Sequence, residues 1–359
     1  MNRMLSAAYL AIGLLAPWAM SASSANYDHS PSKKGQTATA LVPGEMSQAG
    51  QLPAGYSASA SYRCREGYDL YFTGNYIYWN WTQNSLKKGV VTSSASASSF
   101  ILDPGYASGF QVGFGYSMPY ADDWNLYANY TWYQNSASEN LSLAAGQTFS
   151  LANDVEVDNL NLFSGNFSAE EKIKFNELEL ILERPFYFGK WLTANFGAGL
   201  DALFVGENYN GSYSGIINTL LVPIPYHGSD TLSIHTKAWS LGPKFVFNTN
   251  WLLGSGFAIL ANAATSALYT SFTTLNAEKT TSTITSPKVN TITPVLQMFL
   301  GLGWNGGFCN DNYRLGIWAG YDFDIYYNYD MLNFISMRSN DMNDDITLYG
   351  LNVQARFDF

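Results

Sequence analysis

From Thr347 onward the odd positions read Thr347, Tyr349, Leu351, Val353, Ala355, Phe357 and Phe359, while the even positions from Gly350 read Gly350, Asn352, Gln354, Arg356 and Asp358. Successive side chains of a strand point to opposite faces, so this stretch predicts a strand with one apolar and one polar face. The same alternation recurs upstream. Phe110, Val112, Phe114 and Tyr116 oppose Gln111, Gly113, Gly115 and Ser117, and Trp124, Leu126, Ala128, Tyr130 and Trp132 oppose Asn125, Tyr127, Asn129 and Thr131. Leu178, Leu180 and Leu182 oppose Glu177, Glu179 and Glu183, and residues 192–204 repeat the pattern with Asp201 on the polar side. Further strands are expected near 234–248, 256–272, 292–304, 313–327 and 346–359. The first, near 69–81, carries aromatic residues on both faces, which leaves its facing ambiguous. Each segment is long enough for a tilted strand to cross a bilayer, which takes roughly 9–11 residues.

The gaps between these segments alternate in length. Short ones fall at 118–123, 185–191, 249–255 and 305–312, and long ones at 82–105, 134–174, 206–233, 271–291 and 328–345. A soluble sandwich has no reason to sort its loops by length onto two ends, whereas bacterial outer-membrane barrels pair short periplasmic turns with long external loops. The predicted fold is therefore all-β: a transmembrane, antiparallel, up-and-down β-barrel occupying residues 64–359. At least ten strands are expected, within a range of 10–16; twelve is the preferred count, because gaps 134–174 and 206–233 each have room for a further hairpin. Tyr349, Phe357 and Phe359 mark the closing strand, whose aromatic end resembles the signal read by the barrel insertion machinery.

The other end of the chain fits export. Arg3 precedes an apolar run from Leu5 to Met20, and Ser23-Ser24-Ala25 supplies small residues for cleavage, so residues 1–25 read as a secretory signal peptide. Residues 26–63 lack periodicity and read as a flexible periplasmic segment, with a plug folded into the pore as the alternative. Aromatic residues make up 16% of the chain and charged residues only 13%, against roughly 25% charged in an ordinary soluble domain. Mean hydropathy is nevertheless −0.08, as suits a lipid-facing wall around a wet interior. A formal charge of −10 argues against nucleic acid as a partner, since that needs a basic face.

Candidate chemistry follows from parity. Glu177, Glu179, Glu183, Asp201, Asp322 and Asp324 are expected to face inward with Lys244, Arg314 and Arg356, lining the pore. Acidic rings favour cations, while mutual pairing of these charges would leave selectivity weak. Tyr116, Trp124, Trp132, Trp191 and Trp304 suit girdles at the membrane interfaces, and Tyr127, Tyr133 and Trp318 are candidates for an inward aromatic path. His29, His227 and His235 stand in no nucleophile–base motif, and with only two cysteines they give no metal-ligand spacing. No catalytic role, cofactor or metal is expected. Cys64 before the first strand and Cys309 in a predicted periplasmic turn are expected to form one intramolecular disulfide in the oxidising periplasm.

Several segments, taken in order, resemble the major outer membrane porins of Legionella and of environmental relatives of Chlamydia. They are Gly109–Tyr116 with Asp123–Trp132, Glu177–Leu180 with Arg184-Pro185-Phe186, Leu241-Gly242-Pro243-Lys244, Ala319-Gly320-Tyr321-Asp322 and Tyr349–Phe359. The resemblance implies an abundant surface porin for small hydrophilic solutes and supplies no catalytic motif. Chlamydial relatives are often cysteine-rich and cross-linked, whereas this chain has 2 Cys, which argues against extensive cross-linking. The expected function is passive diffusion of small hydrophilic solutes or ions across the bacterial outer membrane, with a weak cation preference. The alternative is a structural or adhesive surface barrel with a closed lumen, whose external loops bind a host or envelope partner. Outer-membrane lipid is a partner in either case, and the sequence does not decide between a monomer and a homo-oligomer.

Overall fold

The computed structural model describes residues 60, 68–118, 121, 123–151, 161–189, 191–218, 226–279, 282–285, 288–309, 312–329 and 345–359, all within one compact unit, Ala40–Phe359. The signal peptide expected at 1–25 and nearly all of the segment at 26–63 lie outside the described residues.

Fourteen strands are present among the described residues: β1 (Leu70–Thr82), β2 (Lys87–Thr92), β3 (Ala97–Ile101), β4 (Ala107–Met118), β5 (Trp124–Leu143), β6 (Thr148–Leu151), β7 (Asn161–Tyr187), β8 (Leu192–Asn218), β9 (Tyr226–Gly254), β10 (Phe257–Lys279), β11 (Ser282–Thr285), β12 (Val289–Phe308), β13 (Tyr313–Tyr326) and β14 (Ile346–Asp358). Ten of them form a closed antiparallel ring in the order β1-β4-β5-β7-β8-β9-β10-β12-β13-β14. β14 returns to β1 from Tyr71↔Asp358 to Thr82↔Thr347, so the apolar-ended terminal strand closes the barrel. Phe359 extends the seam by exchanging backbone hydrogen bonds with Leu70, at 3.0 and 3.3 Å. Closure leaves the wall without a free edge, as a hydrocarbon environment requires.

The ring holds ten strands rather than twelve, and the reason lies in the two longest gaps. Among the described residues, 134–174 and 206–233 insert no further hairpin into the wall. They are largely continuations of the wall itself: β5 and β7 stay paired to Leu143↔Gly165, and β8 and β9 to Ile217↔Tyr226. β9 runs for 29 residues, about 95 Å at 3.3 Å per residue, several times the thickness of a hydrocarbon core. The sheet β7–β8–β9 therefore stands well clear of the membrane. The remaining four strands are accessory: β2 pairs with β3 and β6, β6 also pairs with β7, and β11 pairs with β10.

The opposite end is made of tight turns. β9 and β10 are joined by Ser255 and Gly256 alone, both at positive φ (52° and 83°), the backbone of a two-residue hairpin that matches strand twist. Gly256 is required there, because a Cβ would fall 2.2 Å from the carbonyl oxygen of Asn305. Cys309 occupies the β12–β13 turn, exposed and left-handed at φ 56°. Cys64, its expected partner, lies outside the described residues.

Side-chain exposure follows the alternation read from the sequence. Phe110, Val112, Phe114, Leu126, Leu178, Leu180 and Leu182 project outward and are exposed, as are Tyr116, Trp191 and Trp304 near strand ends and Trp132 midway along β5. β1, whose facing the sequence left open, turns Ile77, Trp79 and Trp81 inward and Phe72, Tyr76 and Tyr78 outward.

Candidate functional site in the barrel interior

The inward positions form three tiers along the barrel axis, because each wall strand contributes alternate residues at the same heights. The tier nearest the short turns is polar. Arg356 and Asp358, two apart on β14 and so on one face, pair at 2.6 Å, and the Arg356 guanidinium stacks 3.7 Å over the Tyr71 ring. Thr73 and the Tyr127 hydroxyl are 2.7 Å apart, and Asn248 donates to Glu183 at 3.3 Å. Arg314 sits opposite Asp358 in the β13–β14 ladder.

The middle tier is a charge cluster built around Lys244. Its ammonium, only 1% exposed, donates to Glu179 and to the side-chain oxygen of Gln297, with Glu177 and Asp201 each at 3.6 Å. Gln297 turns its amide nitrogen to Glu177 at 3.0 Å, Asn129 donates to Glu179 at 2.9 Å, and Ser266 donates to Asp201 at 2.7 Å. Asp322 accepts from the Trp79 indole at 3.0 Å and from Asn352 at 2.8 Å, and Asp324 is buried two residues further along β13. Glu177, Glu179 and Asp201 thus surround one lysine, with Asp322 and Asp324 lining the same interior. Buried charge is tolerated only when paired and hydrogen-bonded, which explains why amides and hydroxyls occupy the positions between them. A cavity of about 300 Å³ opens beside this cluster, lined by Glu177, Glu179, Glu183, Lys244, Asp322, Asp324 and Arg356, with Tyr127 and Trp318 among its aromatic neighbours.

The third tier, toward the long strands, is apolar, and parity alone did not foretell it. Trp79, Trp81, Tyr133, Phe175, Leu203 and Leu268 point inward and are almost fully buried. Tyr133 donates to the carbonyl of Trp79 at 2.8 Å, and Phe175 meets Tyr326 edge to face at 5.3 Å. This part of the interior is a packed core rather than the wet lumen expected throughout. Above it the β2–β3 hairpin and β6 fold against β7, adding Leu86, Leu102 and Phe149 to the same cluster. One buried ion pair fastens that cover: Lys88 of β2 donates to Glu171 of β7, its ammonium 4.2 Å over the Tyr209 ring, while Gln83 and Ser85 also donate to Glu171.

All nine residues expected to line the pore occupy inward-parity positions, and six of them, Glu177, Glu179, Asp201, Lys244, Asp322 and Asp324, come together in the middle tier. Their neutral partners Gln297, Asn129, Ser266, Asn352 and Trp79 were not singled out from the sequence. Their only signal there was polarity or bulk at inward positions, which many other residues share. His227 and His235 are exposed, and His29 lies outside the described residues. Among the described residues no group of three or more His, Cys, Asp or Glu is arranged to hold a metal ion.

A family model described as the Legionella pneumophila major outer membrane protein precursor matches residues 64–359. No curated protein matches the chain. Among solved structures the chain is similar to the outer membrane protease OmpT from Escherichia coli, with 10% identity and a TM-score of 0.45, over 84% of this chain and 99% of that one. It is also similar to the Pseudomonas putida toluene transporter TodX, with 8% identity and a TM-score of 0.23, over 82% of this chain and 90% of that one.

Proposed function

Because the chain belongs to the Legionella major outer membrane protein family, and is accordingly a β-barrel of the outer membrane, we propose that it is a porin. In this reading small hydrophilic solutes and ions diffuse through the interior without a catalytic step, and cations are weakly preferred. The observation that carries the preference is the middle tier, where three carboxylates face one ammonium and two more, Asp322 and Asp324, line the cavity beside it. An acidic constriction raises the local concentration of cations and lowers that of anions. In this reading the packed Trp79–Tyr133–Phe175 tier lies in the conduction path, so conduction requires those side chains to part.

Reversal potentials across planar bilayers in a salt gradient test the proposal. Wild type is expected to show cation selectivity that fades at high salt through screening. Glu177→Gln combined with Glu179→Gln is expected to reduce it. Anion selectivity, or none at low salt, contradicts the reading.

The second reading, a structural or adhesive barrel with a closed lumen, is favoured by the same apolar tier and by strands reaching far beyond the membrane. It predicts folded protein that never conducts.

With the short turns on the periplasmic side, as the alternation of loop lengths implies, the β12–β13 turn and Cys309 lie in the periplasm, two strands from β1 around the ring. A Cys64–Cys309 disulfide is the expected state of the exported protein. Peptide mapping without reductant should yield the linked pair. Two free thiols, or labelling of Cys309 from outside intact cells, would contradict it.

A further inference from the structure

On the outer wall, adjacent strands carry a row of cations just beyond the apolar band. On β8 the outward face is apolar from Phe196, which has Arg184 beside it on β7, to Phe204, flanked by Asn176 and Trp239; between them Leu200 lies between Leu180 and Pro243, and Ala202 between Leu178 and Leu241. The eight residue steps from Phe196 to Phe204 span about 26 Å of strand, or some 20 Å along the membrane normal at a tilt near 40°, close to the height of a barrel's hydrocarbon band. Exposed Phe204, Trp239 and Tyr269 close this band as an aromatic girdle, with Trp239 and Tyr269 rings 5.9 Å apart.

One step further from the short turns, Lys174 of β7, Gly206 of β8 and Lys237 of β9 lie side by side in the ladder, and both lysines are exposed on the outward face. The next row holds Lys172, Asn208 and His235, with the Asn208 amide oxygen accepting from the imidazole Nδ1. Lys172 pairs with Glu170 at 2.7 Å, whereas Lys174 and Lys237 form no ion pair among the described residues. The acids of this face, Glu170 and Glu278, stand a further row out. Gly206 matters because it is empty: a Cβ there would meet nothing nearer than the Thr236 carbonyl oxygen at 3.8 Å. Two strand spacings put the lysine backbones about 9.6 Å apart, so their flexible stems can converge on one anion seated over Gly206.

We propose that Lys174 and Lys237, flanking the slot at Gly206, bind a phosphate of a phosphorylated lipid in the outer leaflet. Two uncompensated lysines in a chain of net charge −10, held against lipid at headgroup height, call for an anion. A lipid phosphate is already there, with its acyl chains lying along Phe204 and Trp239. The lysines act as point charges on the phosphate oxygens.

The test uses the folded, full mature barrel in detergent, probed by native mass spectrometry with lipid A carrying two phosphates, the same glycolipid without phosphates, and inorganic phosphate. Wild type should retain the phosphorylated lipid. Lys174→Gln with Lys237→Gln should weaken retention about 30-fold, taking each lysine at its typical headgroup contribution. Lys174→Arg with Lys237→Arg should restore it in large part. Gly206→Leu, which fills the slot without touching a charge, should weaken retention while leaving heat-modifiable gel mobility intact. Unchanged retention in the glutamine variant or equal retention of the dephosphorylated lipid overturns the proposal. Inorganic phosphate competing at comparable strength would also overturn it, by making this a free-anion site.

Discussion

Lys244→Gln is expected to destabilise the barrel by about 3–5 kcal/mol, the cost of leaving buried charge without its partner. Glu177, Glu179 and Asp201 all face this one ammonium, and the lysine side chain is 1% exposed, so its loss leaves three largely buried carboxylates without their cation. The substitution also leaves Gln297 without the donor that orients it between Lys244 and Glu177. Urea unfolding in micelles, followed by the shift between folded and heat-unfolded gel mobility, reads the change. Adding Glu179→Gln to Lys244→Gln should recover part of the loss, because the pair is coupled and the two effects do not add. A loss below about 1 kcal/mol for the single substitution would mean that water or a counter-ion already shields the cluster.

Trp79→Ala with Tyr133→Ala is expected to open the apolar tier and raise unitary conductance severalfold. Trp79 is 1% exposed, bonds Asp322 through its indole and receives the Tyr133 hydroxyl on its carbonyl, so removing both rings clears the space directly above the acidic tier. Hydrophobic constrictions gate by excluding water, and widening one admits it. The same change should cost stability, since deleting a buried Trp from a packed interior typically costs about 3–5 kcal/mol. Single-channel recording checks the first effect and urea unfolding the second. A less stable barrel with unaltered conductance would show that solutes do not pass this tier.

How much of this was legible beforehand differs by region, for physical reasons. Strands at bilayer height were readable because lipid on one side and polar groups on the other impose a period of two, as at Leu178–Glu179–Leu180. Outside the membrane that contrast vanishes. Ser136, Ser138 and Asn140 of β5 face water instead of lipid, so the pattern fades although pairing with β7 continues to Leu143↔Gly165. That is why the extensions of β5, β7, β8 and β9 read as loops with room for hairpins, and why twelve strands were preferred to ten. Parity also tells which way a residue points but not what it meets. Lys244 and its carboxylates could be assigned to one side of the wall, whereas their convergence on one ammonium depends on residues up to 67 positions apart. On β1, aromatic residues on both faces concealed that Ile77, Trp79 and Trp81 belong to an internal core. An inward tryptophan on one strand becomes a plug only when Phe175, Leu203 and Leu268 arrive from three others.

Conduction itself decides between a porin and a closed surface barrel. Purified barrel, shown to be folded by heat-modifiable mobility, is added to planar bilayers and its unitary currents are recorded. Discrete openings, with a conductance that rises with salt and a reversal potential on the cation side, are the expected result. Folded protein that inserts yet passes no current under any applied voltage would contradict the porin reading and leave the barrel as a sealed platform for its external strands.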